Sequence, residues 1–149
     1  VAEIDTNSAP MVELNVFRSP AKEEFTRISF YRNRGFRNWD RYDGWEPGKR
    51  LGASDSLICI DFSYSSELPD ALSRAPETAP VFLRHDENLN LRIFLDKSVL
   101  EVFVSGKQCV AIRVYPSRAD STGISIRSQG TSARLVTFDI WQMRNIYQS

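Results

Sequence analysis

Apolar side chains recur along this chain at every second position, in many short runs. Leu89, Leu91, Ile93 and Leu95 fall on one face of such a run, with Asn90, Arg92 and Asp96 on the other. Leu100, Val102 and Val104 share the next face, opposite Val99, Glu101 and Phe103. After Ser105-Gly106-Lys107, Val110, Ile112 and Val114 alternate again. Gly106 suits a tight turn because it adopts positive φ without a Cβ clash. Together these runs predict a β-meander. Val12, Leu14 and Val16, then Ile28 and Phe30, then Leu57, Ile58 and Ile60 mark earlier strands. Ile124 and Ile126, then Val136, Phe138 and Ile140, mark the last ones, ending near Trp141 and Met143. No long segment repeats with the 3.6-residue period of a helix, and Pro and Gly punctuate at close intervals. The pattern predicts an all-β fold with little helix: a two-sheet antiparallel β-sandwich of lectin-like jelly-roll type. Leu91, Ile93, Leu95, Val102, Val104, Val110, Ile112 and Val114 are its expected core.

Length and composition fit this picture. A chain of 149 residues has the size of one domain, so residues 1–149 read as a single β-sandwich domain. A chain of this length buries roughly two-thirds of its unfolded surface, enough for a core without staples. Nineteen basic and nineteen acidic side chains cancel. That argues against bulk attraction to nucleic acid or to an anionic membrane. No apolar run approaches the roughly 20 residues that span a bilayer, and no secretory signal is visible. The first residue is Val1 rather than Met, which reads as a processed chain or a piece cut from a longer one. The compartment is left open. Charge is uneven, however. Residues 27–50 carry seven basic side chains against three acidic, and residues 55–101 carry nine acidic against four basic. Zero net charge thus conceals a local basic patch.

Candidate chemistry is sparse. Cys59 and Cys109 each lie in an apolar run and are expected as free, buried thiols in preference to a disulfide. His85 is the only histidine, so no Cys/His spacing suggests a metal site, and no cofactor is implied. Asp96 and Glu101 could form a glycosidase pair, which needs two carboxylates roughly 5–10 Å apart across a sugar-sized cleft. Along a continuous strand, five positions put them on opposite faces; a turn at Lys97-Ser98 would change that. The alternative is a wet-face glutamate, alone or paired with Arg113 on the next strand.

The segment "FRNWDRYDGWEPGKR", residues 36–50, interleaves Phe36, Trp39, Tyr42 and Trp45 with Arg37, Arg41, Lys49 and Arg50. Aromatic faces of this kind pack a loop onto the sandwich, or dock on another domain. They also stack on sugars, which makes Trp39, Arg41, Tyr42, Asp43 and Trp45 the candidate carbohydrate-binding residues. Single-stranded nucleic acid uses the same mixture, but Asp40, Asp43 and Glu46 oppose it. Packing or docking ranks ahead of sugar contact, and nucleic acid comes last.

"LRIFLDKSVLEVFVSGKQCVAIRVYP" resembles the C-terminal β-sandwich of the β-fructosidases, glycoside hydrolase family 32, which includes invertases, inulinases and levanases. The residues that carry the resemblance are Asp96, Ser98, Glu101, Val102, Phe103, Gly106, Tyr115 and Pro116. The tail adds Gly123-Ile124-Ser125-Ile126 and Phe138-Asp139-Ile140-Trp141-Gln142-Met143. "SLICIDFSYSS" resembles a strand of the family that ends in an Asp-Arg-x-x-Ser-like sequence, with Phe62 where Arg is usual. The likeness is good from about residue 81 onward and loose over 11–66. Residues 32–50 have no counterpart in it.

The resemblance implies a division of labour. In that family the chemistry belongs to an N-terminal five-bladed propeller with Asn-Asp-Pro, Arg-Asp-Pro and Glu-Cys motifs. None of these strings occurs here, and such a propeller does not fit this length beside a sandwich. The implied protein is therefore a non-catalytic module of a sucrose- or fructan-cleaving hydrolase. It carries no catalytic residue, and the propeller of the parent chain is its partner. The alternatives are a carbohydrate-binding, lectin-like module that uses Trp39–Trp45 on a fructan or other glycan, and an unrelated interaction domain, since a sandwich alone implies no function.

Overall fold

The computed structural model describes residues 1–6, 9–34, 56–71, 74–84 and 86–144. It contains ten strands: β1 (Ala2–Asp5), β2 (Met11–Arg18), β3 (Thr26–Tyr31), β4 (Ser56–Asp61), β5 (Glu77–Val81), β6 (Leu89–Asp96), β7 (Val99–Val104), β8 (Gln108–Arg113), β9 (Gly123–Gln129) and β10 (Arg134–Phe138). They form two five-stranded sheets, ordered β10-β1-β6-β7-β8 and β5-β4-β3-β2-β9. Every pairing is antiparallel. No helix occurs among the described residues. The sandwich expected from period-two alternation is the fold observed.

The two inner faces meet in one apolar core. Val12, Leu14 and Val16 of β2, Ile28 and Phe30 of β3, and Ile58 and Ile60 of β4 pack against Leu89, Leu91, Leu100, Val102, Val104 and Ile112 from the other sheet. The meander is in place: β6 pairs with β7 and β7 with β8, Val102 lying between Ile93 and Val110. Ser105 and Gly106 both take positive φ at the second turn, and the Lys107 N–H bonds to the Val104 carbonyl at 2.9 Å. Gly123 has another reason to be glycine. A Cβ there would stand 2.7 Å from the Arg18 carbonyl oxygen. That close approach accompanies the register shift of β2 against β9 between Asn15 and Arg18.

The expected core needs one correction. Leu95 has the inward parity and pairs with fully buried Leu100, yet it is 38% exposed. Ile93 and Val110 are half-buried. Val110 lies on β8, the edge strand of the sheet, and on β6 the cause is a short neighbour: β1 pairs with β6 only over Leu89–Leu91. Beyond Leu91 the β6 strand lacks this flank, so its inward side chains lose cover step by step.

Candidate functional site

The carboxylates singled out from the sequence come first. The β6–β7 hairpin turns at Lys97-Ser98, with Lys97 at φ 52°, and pairs Asp96 with Val99 and Phe94 with Glu101. Asp96 and Glu101 therefore share the outer face. The turn allowed for at Lys97-Ser98 is present, so the opposite-face geometry of a continuous strand does not apply. They stand on an open sheet surface beside Phe94 and Phe103, whose rings meet edge to face at 5.9 Å. Arg113 lies opposite Val99, and Ala111 rather than Arg113 lies opposite Glu101. Among the described residues nothing there encloses a sugar, and the two carboxylates stand on a wet outer face. Trp39, Arg41, Tyr42, Asp43 and Trp45 lie outside the described residues, as does His85. Cys59 and Cys109 are free, but Cys59 is only half-buried and Cys109 is exposed, contrary to the burial expected from their apolar runs. Both sit at outward-facing positions of their strands, where alternation leaves the thiol at the surface. Burial, and then the neighbouring Asp61 charge, pushes the Cys59 thiol pKa up.

The structure adds two buried carboxylates that the pattern did not reveal. Glu13 lies on the outer face of β2, between β3 and the edge strand β9. It accepts hydrogen bonds from Arg127 at 2.9 Å and Asn15 at 2.8 Å, and has Arg27 and Lys22 at 3.4 and 3.6 Å. Burial alone would raise its pKa; the Arg127 and Asn15 hydrogen bonds and the two arginine charges bring it below the ordinary value.

Glu24 is fully buried in the loop between β2 and β3. Its Oε1 accepts from the backbone N–H of Glu67 at 2.8 Å, and from the Ser117 N–H at 2.9 Å and hydroxyl. Its Oε2 accepts from the Arg118 N–H at 3.1 Å and the Ser121 hydroxyl at 2.7 Å. Burial again opposes ionisation, but these donors outweigh it and hold the pKa at about 2. One side chain thus ties together the loops after β2, β4 and β8. The only signal in the sequence was the serine-rich stretch around Ser117 and Ser121, which lies more than ninety residues away.

The third feature is apolar. β10 is the edge strand of its sheet, and all five of its residues are exposed. Leu135 pairs with Ile4 and Phe138 with Ala2, both of which face the core. The inner face of this sheet therefore continues outward at β10 without being enclosed. The chain then runs past Val1, whose carbonyl accepts the Asp139 N–H at 2.9 Å. Next come Ile140, Trp141 and Met143, which are 66, 65 and 78% exposed. Exposed apolar side chains in such number are unusual on a monomer and characterise surfaces that contact a partner. No group of three His, Cys, Asp or Glu side chains that could hold a metal ion occurs among the described residues.

Comparison with known proteins bears on the family and the fold. A family model described as "Glycosyl hydrolases family 32 C terminal" matches residues 1–142. A Zea mays protein named Beta-fructofuranosidase 1 is 32% identical over 102 residues, 64% of this chain and 15% of that protein. A Beta vulgaris protein named Fructan 6-exohydrolase is 34% identical over 97 residues, again 15% of its own length. Among solved structures, fructan 1-exohydrolase IIa from Cichorium intybus superimposes with a TM-score of 0.65 at 24% identity, over 85% of this chain and 22% of that one. Exo-inulinase from Aspergillus awamori gives 0.62 at 17% identity, over 87% and 21%. At such identities the structural likeness establishes the fold alone. The chain spans about a fifth or less of each of these relatives.

Proposed function

The chain belongs to the C-terminal domain family of the family 32 glycosyl hydrolases, and from that premise we propose that it is the non-catalytic β-sandwich module of an enzyme that cleaves sucrose or fructans. Its role is structural: it docks on the catalytic propeller of the parent chain. The observation that carries this reading is the uncovered core face at β10, which continues into Ile140, Trp141 and Met143. An inner face that ends in exposed leucine and phenylalanine calls for a covering body, and the relatives have most of their length outside the region matched here. Docking would exclude water from the strip and stabilise both bodies at once.

The purified chain should release no fructose from sucrose, inulin or levan. Fructose release that disappears on Glu101→Gln would overturn the non-catalytic reading. In the full-length gene product, replacing Ile140 and Trp141 together by Ala should lower the melting temperature much more than in the chain alone. Equal losses would remove the docking role. The lectin-like alternative rests on the sequence of Trp39, Arg41, Tyr42, Asp43 and Trp45. Titration with fructo-oligosaccharides decides it: a saturable tryptophan fluorescence shift abolished by Trp39→Ala favours that site, and a flat signal rejects it.

A further inference from the structure

The two sheets leave an opening along one side of the sandwich. β5 ends one sheet and β8 ends the other, and β8 is the edge opposite to β10 in its own sheet. Ala79 of β5 pairs with Ile58 of β4, and Val110 of β8 pairs with Val102 of β7, so both edge residues turn toward the core. An alanine at such a position leaves unfilled the space that a larger aliphatic side chain takes in a close-packed interior. The result is a cavity of about 160 Å³ between the two edges. Its walls are aliphatic: Ile58, Ile60, Ala79, Val104 and Val110. Ile58, Ile60 and Val104 belong to the enclosed core, so an occupant of the cavity touches the core directly. Gln108 spans the opening from one sheet to the other. Its Nε2 donates to the Pro80 carbonyl at 2.8 Å and holds the edges at a set distance.

Size and charge together define the ligand. An aliphatic cavity of about 150 Å³ accommodates a benzene ring. The mouth is polar, with Glu77 and Thr78 on β5 and Gln108 on β8. The Glu77 carboxylate lies 3.1 Å from the Arg74 guanidinium, so its charge is balanced and the mouth favours neither a cation nor an anion. The neighbouring cation, Lys107, is engaged by Glu87 and the Phe82 carbonyl. Glu77 and Thr78 offer oxygen acceptors for one donated hydrogen bond. We propose that this cavity is a binding site for a small neutral molecule with a ring of benzene size and one hydroxyl, of which phenol is the simplest. The ring lies among the aliphatic walls, where burial removes its surface from water, and the hydroxyl donates to Glu77 at the mouth. The site shares no residue with the strip at β10 or with Trp39–Trp45, so it holds or fails independently of the proposed function.

The test is calorimetric titration of the 149-residue chain with phenol. Benzoate and benzylamine serve as anionic and cationic comparators of similar size. Saturable binding of phenol is expected, with Kd of about 1 mM for a single small ring. Ala79→Leu, which fills the cavity, should weaken it at least tenfold, with a urea midpoint no lower than that of the unaltered chain. Ala111→Leu, at an exposed outward position of β8, should leave it unchanged. Amide NMR of the unaltered chain locates the site without any variant: phenol should shift the signals around Ala79 and Val110 and leave those of β1 and β10 in place. Absence of saturable heat up to roughly 20 mM phenol, some twenty times the expected Kd, overturns the proposal. So does phenol binding that survives Ala79→Leu, binding of either comparator as tight as that of phenol, or a set of NMR shifts centred away from β5 and β8.

Discussion

Strands β7 and β10 read alike in sequence, VLEVFV and RLVTF, and meet opposite fates. β7 lies between β6 and β8, and its Leu100, Val102 and Val104 are fully enclosed. β10 ends the same sheet, and none of its side chains is enclosed. Alternation tells which way a side chain points; whether anything lies there to cover it is a separate matter. At β7 the cover is the opposite sheet of the same chain. At β10 it is absent from the described residues, and that difference makes β7 a core element and leaves β10 an exposed apolar edge.

The largest expected effect tests the enclosed strand. Leu100→Ala should cost about 2–5 kcal/mol in urea unfolding, the range for buried leucines that leave a cavity. A loss well under 1 kcal/mol would mean that β7 is no better covered than β10. Next comes Glu24, enclosed by loops rather than by sheets. Its folded pKa of about 2 lies below its ordinary 4.5. The folded state therefore favours the charged form. The stabilisation is fully present above about pH 5 and disappears as pH falls toward 2, and the shift corresponds to roughly 3 kcal/mol. Glu24→Gln should lose stability of that order at neutral pH and show a shallower decline between pH 5 and 2. A variant with the wild-type acid profile would show that the loop clamp contributes nothing.

Leu95→Ala sharpens the contrast within one sheet. Its parity alone predicts a full core penalty, but its exposure reduces the expected loss to about 1 kcal/mol. A loss above 2 kcal/mol would place Leu95 under cover that the structure does not show. The smallest effect is at the edge. Leu135→Ala should change the stability of the isolated chain by no more than about 0.5 kcal/mol. The same substitution in the full-length product should cost clearly more, and an equal effect in both would make β10 an ordinary exposed edge.

The sequence by itself determined the strand class, the faces of β6, β7 and β8, the turn at Ser105-Gly106-Lys107 and the family likeness. These properties depend on neighbours within a few positions, through the two-residue period and the conformational freedom of glycine. The tertiary structure decided the rest. Asp96 and Glu101 share a face because a hairpin reverses the count between them. Leu95 is exposed because β1 stops short, and Leu135 and Phe138 are exposed because the opposite sheet does not enclose the edge. The Glu24 clamp and the stacking of Tyr64 on Phe25 join residues that are dozens of positions apart. Burial and electrostatic partnership depend on what the fold brings together, and no local period encodes that.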